Sequence, residues 1–349
     1  MRITATILLL LLSVIALSWL SQPAWFTLLT PLKQEIPEGF PEPVYTFKNN
    51  PLTQEGFEIG RELFYDGRLS KDGYTSCGSC HQQFAAFSDY QHVLSHGFNN
   101  AFTLRNAPAL LNLAWQKEFH HDGGINHIEV QPLAPMTGLN EMANSLDTVI
   151  VRLQNDTAYK RMFRTAFGDS KVTSERMLKA LTQFIGSFVS ANSKYDQMKK
   201  GKVEFNEFEK RGYEIFKVKC AGCHREPLFT DLSIRNIGLP VDTFLYDYGR
   251  MRISGNREDS LKFKVPSLRN VAITAPYMHD GRFWGMTTAS NHFATRNKDD
   301  NATDSLIVNG QPLTTNETIF LASFLHTLTD SAFLKDKRFA DTKNNRKTH

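Results

Sequence analysis

The chain has 349 residues, of which 41% are apolar and 22% charged, with a formal net charge of +4. This is enough apolar material for packed cores, so an intrinsically disordered, collagen-like or coiled-coil protein is a poor interpretation. The length predicts two domains. The small basic excess does not indicate a nucleic-acid partner, because part of it is a C-terminal charge run typical of a solvated tail, namely Lys335, Lys337, Arg338, Lys343, Arg346 and Lys347.

The N-terminus predicts a membrane-targeting segment, which we place at residues 1–34. Arg2 is followed by 18 nearly all apolar residues, Ile3–Leu20, and no further charged residue occurs before Lys33. A cleaved signal peptide and an uncleaved membrane anchor are both compatible with this length. In either case Arg2 stays inside, so the body of the protein is expected outside the cytoplasmic membrane.

The rest of the chain predicts a mainly α-helical protein with long loops and no β-rich segment. Residues 35–52 are proline-rich and predict a linker or extended arm. Apolar residues at helical spacing predict five helical stretches: Thr53–Leu63, Ser145–Phe167, Ser174–Tyr195, Phe205–Lys219 and Asn316–Leu328. A basic, glycine-containing stretch at Lys199–Lys202 marks a boundary, which predicts one domain over 53–198, a second over 203–335 and a basic tail over 336–349.

All four cysteines lie in two C-x-x-C-H motifs that are 143 residues apart. The motifs consist of Cys77 and Cys80 before His81, and of Cys220 and Cys223 before His224. In such a motif two thiols bond to the vinyl groups of one haem and the next histidine reaches its iron. A thioredoxin-type pair needs no such histidine, and a four-cysteine zinc site would leave both unexplained. The sequence therefore predicts two covalent c-type haems in two cytochrome c-type domains.

Several loop residues after the first motif are candidates for the other face of that haem. His92 and His96 follow closely enough for a side chain to fold back over the iron. A carboxylate and an amide near an iron can hold and move protons during cleavage of an O–O bond. Spacing alone leaves the carboxylate and the amide equally compatible with a solvated loop position. The polar loop residues further on are His120, His121, Asp122, Gln131 and Glu141.

Over residues 48–335 the chain resembles the bacterial dihaem cytochrome c peroxidases. Besides the two haem motifs, the resemblance rests on five segments in the expected order: 105–112 (RNAPALLN), 119–123 (FHHDG), 138–142 (GLNEM), 263–270 (FKVPSLRN) and 275–281 (APYMHDG). It implies a periplasmic enzyme with a peroxide-reducing haem in its N-terminal domain and an electron-transfer haem in its C-terminal domain.

The same resemblance implies roles for individual residues. His81 would be the proximal ligand of the peroxide-reducing haem, and His96 its removable distal ligand. Glu141 would move a proton between the peroxide oxygens, and Gln131 would orient the peroxide. His224 would be the proximal ligand of the electron-transfer haem.

A calcium ion between the domains is a further implication of the resemblance. Its ligands would be Asn106 from the first half with Thr274 and Pro276 from the second. The latter two would act through backbone carbonyls, which suits a hard cation.

The chain departs from the family pattern near both haems. His121 replaces a tryptophan that lies between the haems, and Gly124 replaces an arginine. At the distal position of the second haem, where the family has methionine or tyrosine, Phe293 cannot bind iron. Met286 and His292 are the nearby candidates for this second distal ligand, although a core methionine and a surface histidine are equally compatible.

The leading functional hypothesis is reduction of hydrogen peroxide to water, with electrons from a small carrier such as a cytochrome c or a cupredoxin. One alternative is a dihaem oxidase that uses peroxide to modify another protein, which His96, His121 and Phe293 argue against. The other is a dihaem electron-transfer or redox-sensing cytochrome, which would need neither Glu141 nor Gln131. The sequence leaves the oligomeric state open, with a homodimer as one candidate.

Overall fold

The computed structural model describes residues 29–295, 303–310 and 312–342 and is mainly helical. The predicted targeting segment therefore lies largely outside the described residues. Within the described ranges, none of the helices has the length and apolar character that a membrane span requires. The helices up to residue 199 are α1 (Gln54–Phe64), α2 (Cys77–Cys80), α3 (Leu133–Thr137), α4 (Leu146–Asn155), α5 (Thr157–Phe167), α6 (Ser174–Ile185) and α7 (Lys194–Lys199).

The remaining part of the chain combines helices with a minimal antiparallel sheet. Its two strands, β1 (Ile234–Arg235) and β2 (Phe263–Lys264), pair with Ile234 opposite Lys264. The helices here are α8 (Glu207–Lys219), α9 (Met251–Ser254), α10 (Met286–Thr295), α11 (Ser305–Val308), α12 (Thr315–His326) and α13 (Ser331–Leu334).

Two of the predicted helical stretches are shorter or divided in the structure. The stretch Ser145–Phe167 breaks at Asp156, whose carboxylate accepts backbone hydrogen bonds at the start of α5 and so caps a new helix. The stretch Ser174–Tyr195 stops being helical at Ile185. The next residue, Gly186, packs so closely that an added Cβ would lie 2.9 Å from the ring of Phe47.

Two hydrophobic cores organise the molecule. The first contains residues between Phe57 and Phe188 together with Phe333 and Phe339. The second contains residues between Tyr195 and Leu328. We call the corresponding parts the first half and the second half.

Each half is built on a crossing of two helices at a glycine. In the first half, α1 crosses α6 where a Cβ on Gly60 would lie 2.0 Å from the carbonyl oxygen of Ala180. In the second half, α8 crosses α12 where a Cβ on Gly212 would lie 2.0 Å from the carbonyl oxygen of Phe320. Because only glycine allows such an approach, the two crossings are equivalent features of a duplicated unit.

The two terminal segments pack on the first half. Trp115 donates its indole N–H to the carbonyl of Pro41 at 2.7 Å, and the backbone N–H of Tyr45 donates to that of Ala114 at 2.9 Å, so residues 35–52 form a docked arm. At the other end Phe339, inside the stretch predicted as a tail, is only 2% exposed in the first core.

A buried ion pair joins α7 to the loop that contains Arg269. Arg269 donates from both terminal nitrogens to the Asp196 carboxylate, at 2.9 and 2.8 Å. Its guanidinium also lies over the rings of Phe40 and Phe229. A buried arginine is tolerated only when paired and hydrogen-bonded in this way.

Candidate haem sites and the turn between them

The first C-x-x-C-H motif presents its histidine as a metal ligand. His81 follows the single turn of α2, and its Nδ1 lies 2.6 Å from the carbonyl oxygen of Phe87. A carbonyl only accepts, so Nδ1 carries the proton and Nε2 is the nitrogen with a free lone pair. Burial lowers the pKa of His81, which favours the neutral imidazole that metals bind.

The second motif repeats this arrangement. The Nδ1 atom of His224 lies 3.1 Å from the carbonyl oxygens of both Phe229 and Pro266. Burial again lowers the pKa of the imidazole. Backbone carbonyls thus orient both histidines, as is common for ligands of metal ions.

The four cysteines are free of disulfide bonds and suit covalent attachment rather than thiol redox chemistry. Burial raises the pKa of Cys77 and of Cys220 to about 12, and that of Cys80 to about 11. Reactive cysteine pairs instead have lowered pKa values, because the thiolate is the nucleophile. Four apolar thiols and two oriented neutral imidazoles therefore fit two c-type haems.

The loop that carries His96 lies against the first haem motif. Ser95 is 1% exposed, and its hydroxyl is close enough to the Cys80 thiol to lower that pKa, although burial dominates. The His96 ring lies 4.7 Å from the ring of Phe102, and its Nδ1 is buried without a hydrogen-bond partner. Such unpaired buried nitrogens are rare, so this histidine is available for a ligand.

Glu141 lies beside the same loop. Its carbonyl accepts from the backbone N–H of Phe98 at 2.5 Å, and a Cβ on Gly97 would lie 2.2 Å from the carbonyl oxygen of Asn140. The Glu141 carboxylate is also near enough to contribute to the raised pKa of Cys77. Burial alone raises the pKa of Glu141, because no cation compensates it.

Gln131 lies near a second loop histidine, His120. Its backbone interacts with the ring of His120, which in turn contributes to the lowered pKa of His81. The Nε2 atom of His120 is buried without a partner. Helix α3 separates Gln131 from Glu141 along the chain.

The segments 119–125 (FHHDGGI) and 277–283 (YMHDGRF) form the same turn in the two halves. In each, the first residue donates its N–H to the carbonyl of the last at 2.7 Å. Each turn also needs a glycine with positive φ at its fifth position, namely Gly123 (66°) and Gly281 (68°). His121 and His279 are therefore equivalent residues. We call residues 119–125 the inter-haem turn.

The two equivalent histidines are both hydrogen-bonded to the backbone of Asn106. His121 donates from Nε2 to the carbonyl of Asn106 at 2.9 Å, and the N–H of Asn106 donates to the carbonyl of His279 at 2.8 Å. Burial lowers the pKa of His121 to about 3. His121 is therefore neutral near pH 7, with its proton on Nε2. His279 stacks on Phe263 at 3.7 Å between ring centroids.

The predicted calcium ligands lie on segments that the structure brings together. The side-chain amide of Asn106 donates to the carbonyls of His92 and Val93, at 3.2 and 3.1 Å, and its backbone contacts the turn that follows Thr274 and Pro276. In the described part of the chain, no group of three or more His, Cys, Asp and Glu residues is arranged to hold a metal ion. The predicted site relies instead on amide and backbone oxygens.

The candidates for the second distal ligand both have other contacts. Met286 packs against the second core. The Nε2 atom of His292 lies 2.8 Å from the carbonyl oxygen of Ile237, which leaves only Nδ1 for another role. Phe293 lies beside it, with 5.2 Å between the ring centroids.

The residues that hold the inter-haem turn were not predicted from the sequence. Arg105 pairs with Asp122 at 2.6 Å and with Asp247 of the second half at 2.5 Å. Arg250 donates to two carbonyls of the turn. Arg105 opens a recognised motif, but Arg250 lies in an irregular loop with no signal that would single it out.

Fold and site together define a dihaem c-type cytochrome with an acid and a histidine beside its first haem motif. The profile of the di-haem cytochrome c peroxidase family matches residues 54–204. The methylamine utilization protein MauG of Methylophilus methylotrophus is 33% identical over 288 residues, covering 80% of this chain and 83% of the relative. The cytochrome c551 peroxidase of Nitrosomonas europaea is 34% identical over 245 residues, covering 69% and 73%. The chain belongs to this dihaem peroxidase family, and two c-type haems follow from its membership.

Solved structures agree with this assignment. A MauG-like protein associated with microbial copper homeostasis superposes with a TM-score of 0.80 at 30% identity, covering 89% of this chain and 99% of the other. The dihaem peroxidase BthA of Burkholderia thailandensis superposes with a TM-score of 0.71 at 20% identity, covering 90% and 98%, which supports the fold. The expected mainly helical dihaem fold is confirmed.

Proposed function

We propose that this peroxidase reduces hydrogen peroxide to water at its first haem, with electrons that arrive through the second. The observation that carries the proposal is the position of Glu141. It is partly buried, desolvation raises its pKa, and its backbone contacts the loop of His96 beside the first haem motif. An electron-transfer cytochrome would gain nothing from an acid with a raised pKa there.

Each residue has a defined task in this scheme. When bound through Cys77 and Cys80, the first haem supplies the iron and the electrons for cleavage of the O–O bond. Glu141 takes a proton from one peroxide oxygen and returns it to the other, a task for which a raised pKa is suited. Gln131 orients the peroxide by hydrogen bonding. His96 closes the site at rest and moves away to admit peroxide.

His121 would lie on the route of electrons between the halves. It is neutral and hydrogen-bonded to Asn106, which itself contacts the turn of His279. A neutral imidazole can lie on a tunnelling route but is much harder to oxidise than tryptophan. The replacement therefore favours passage of electrons inward over chemistry that needs an oxidisable residue at this position.

The remaining parts of the proposal concern the surroundings of the enzyme. The electron donor would be a small periplasmic carrier, a cytochrome c or a cupredoxin. A calcium ion held by Asn106, Thr274 and Pro276 would fix the relative position of the two halves, because its ligands come from both. The second haem would have His224 as its proximal ligand and either Met286 or His292 as its distal ligand.

A second candidate function is peroxide-dependent oxidation of another protein. It is favoured by the similarity to MauG and to the MauG-like structure, which are 33% and 30% identical to this chain. The two functions differ in where the electrons originate. A peroxidase draws them from a carrier, whereas an oxidase of this kind draws them from the protein that it modifies.

Peroxide turnover with defined donors separates the two candidates. The holoenzyme is mixed with peroxide and a reduced cytochrome c or cupredoxin, and oxidation of the donor is followed optically. We expect two donor molecules to be oxidised per peroxide. If neither carrier is oxidised and an added periplasmic protein gains covalent modifications by mass spectrometry, the second candidate replaces the first.

A further inference from the structure

The inter-haem turn belongs to the first half in sequence, but donors from the second half bind its backbone. The carbonyl of His121 accepts from the backbone N–H of Lys264 at 2.7 Å. The carbonyls of Asp122 and Gly123 accept from Nη1 of Arg250, at 3.1 and 2.7 Å. Three successive carbonyls of the turn are therefore satisfied by the other half.

Arg250 is well anchored for this task. Its backbone N–H donates to the carbonyl of Lys262 at 2.9 Å, directly before α9. Its Nη2 lies 3.3 Å from the Glu118 carboxylate, at the entrance to the turn. The side chain is 25% exposed, so these contacts are partly shielded from solvent. The guanidinium presents its N–H donors in a fixed planar arrangement, whereas an ammonium group is a compact charge on a flexible stem, so arginine suits several acceptors that must be held in one geometry.

The second half also fills the space beside Gly124. A Cβ at this position would lie 2.9 Å from Cδ1 of Ile253 and 3.0 Å from the Asp122 carboxylate. A side chain at this position would force Ile253, three residues after Arg250, to move.

Arg105 holds the turn through the side chain of Asp122 instead of through backbone carbonyls. It donates to the Asp122 carboxylate at 2.6 Å and to the Asp247 carboxylate at 2.5 and 2.8 Å. Asp247 lies three residues before Arg250. The same second-half loop therefore holds the turn in two ways: Arg250 binds its backbone carbonyls directly, and Asp247 binds Arg105, which in turn binds Asp122.

We infer that Arg250 is a positioning residue for His121 and that the second half sets the geometry of the route between the haems. The inference rests on the proposed function, because it gives a purpose to the electron route. The rate of electron transfer depends on the distance and packing along its route, so a turn held on three carbonyls can control that rate.

The test uses the holoenzyme and four proteins: wild type, Arg250→Gln, Arg250→Lys and Arg257→Gln. Arg257 is an exposed arginine of the same loop, outside the inter-haem contacts described above. Hydrogen–deuterium exchange is measured for peptides covering the inter-haem turn and β2. In parallel, the rate of electron transfer between the haems is followed by stopped-flow spectroscopy after reduction of the second haem.

We expect Arg250→Gln to speed exchange in the inter-haem turn by roughly tenfold, the usual effect of losing a charge-assisted hydrogen bond. Electron transfer should slow while haem content and haem spectra stay unchanged. Arg250→Lys should recover part of both effects, and Arg257→Gln should resemble wild type. Thermal unfolding of each variant separates local loosening from general instability.

Two results would overturn the inference. One is unchanged exchange in the turn of Arg250→Gln. The other is faster exchange with electron transfer at the wild-type rate, which would make Arg250 structural only. Failure of the proposed function looks different, since all four proteins would then lack peroxide turnover while the exchange measurement still reports on the turn.

Discussion

The two halves hold their haem motifs in the same way and differ in the loops that surround those motifs. In both, a helix crosses another at a glycine, and in both the motif histidine turns its Nδ1 to a backbone carbonyl. Among the described residues, the loops beside the first motif also carry a partly buried acid, Glu141, whose pKa is raised, and a histidine with an unpaired buried ring nitrogen, His96. In the second half, the residue that the family resemblance assigns to the distal position is Phe293, which cannot bind iron. The two halves therefore share the way in which a haem is attached, whereas the chemistry depends on loops that differ between them.

The largest expected effect tests the chemical side of this difference. Glu141→Gln keeps size and hydrogen bonding but removes the titrating group, so peroxide turnover should fall by about 100–10,000-fold. Both haems and their reduced spectra should remain. Steady-state assays measure the loss, with Glu175→Gln, an exposed glutamate on α6, as the matched control. Turnover at the wild-type rate would reopen His120, His121 and Asp122 as the acid.

The next prediction concerns His96 as a closing ligand. Wild type that is fully oxidised should react with peroxide only after a lag, until an electron reaches the second haem. His96→Gly should react without the lag and show a changed spectrum of the oxidised first haem. His127→Gly, a change at an exposed loop histidine, should behave as wild type. If oxidised wild type is active at once and the variant has the same spectrum, His96 is not the ligand.

The duplicated part of the comparison predicts two equal losses of stability. Gly60→Ala and Gly212→Ala each force a methyl group against a crossing backbone 2.0 Å away, which should cost about 1–3 kcal/mol. Urea unfolding measures the change. Gly285→Ala is the control, because the nearest atom to its Cβ lies 3.3 Å away. A neutral result at only one crossing would show that the halves are less alike than they look.

Calcium provides a test of how the halves are joined. Chelation should lower peroxide turnover several-fold, because an ion held by Asn106, Thr274 and Pro276 would fix the relative position of the haems. Added calcium should restore the rate, and magnesium, which needs a tighter octahedral site, should not. Elemental analysis of the purified protein provides the independent measurement. A protein without calcium that ignores the chelator would remove this site.

The smallest expected effect comes from the ion pair that joins the halves. Burial acts to raise the pKa of Asp247, but Arg105 outweighs it and lowers the pKa to about 2. The folded state therefore binds fewer protons, and this stabilisation is lost as pH falls from about 4 towards 2. Between pH 7 and pH 3, wild type should lose about 1 kcal/mol more than Asp247→Asn. Urea midpoints at both pH values decide this, and equal losses would contradict it.

The local parts of the site could be predicted because they are short in sequence. Each C-x-x-C-H motif places its ligands within one turn, so the motif alone predicts the haem and its proximal histidine. Helix α1 was predicted to within one residue, since its apolar spacing and the Thr53 cap are both local. The break at Asp156 was missed, because two helices with matching apolar faces have the periodicity of one.

Contacts between distant segments could not be predicted in the same way. Arg250 and the inter-haem turn are more than 120 residues apart in sequence, and neither signals the other. The equivalence of His121 and His279 follows from the structure, in which the same backbone hydrogen bond closes both turns and both contain a glycine with positive φ. The resemblance to a family supplied His96 and Glu141, whose loops carry no periodic signal.

The sequence by itself determined the number of haems, their attachment, the mainly helical class and the family, because each depends on residues close together in the chain. The tertiary structure decided what surrounds those haems. It packed Glu141 against the loop of His96 and placed His121 within hydrogen-bond distance of Asn106. It also bound the inter-haem turn of the first half to hydrogen-bond donors from the second half. These arrangements depend on packing and burial between segments far apart in the chain, where pKa values and hydrogen-bond partners are set by neighbours that only folding supplies.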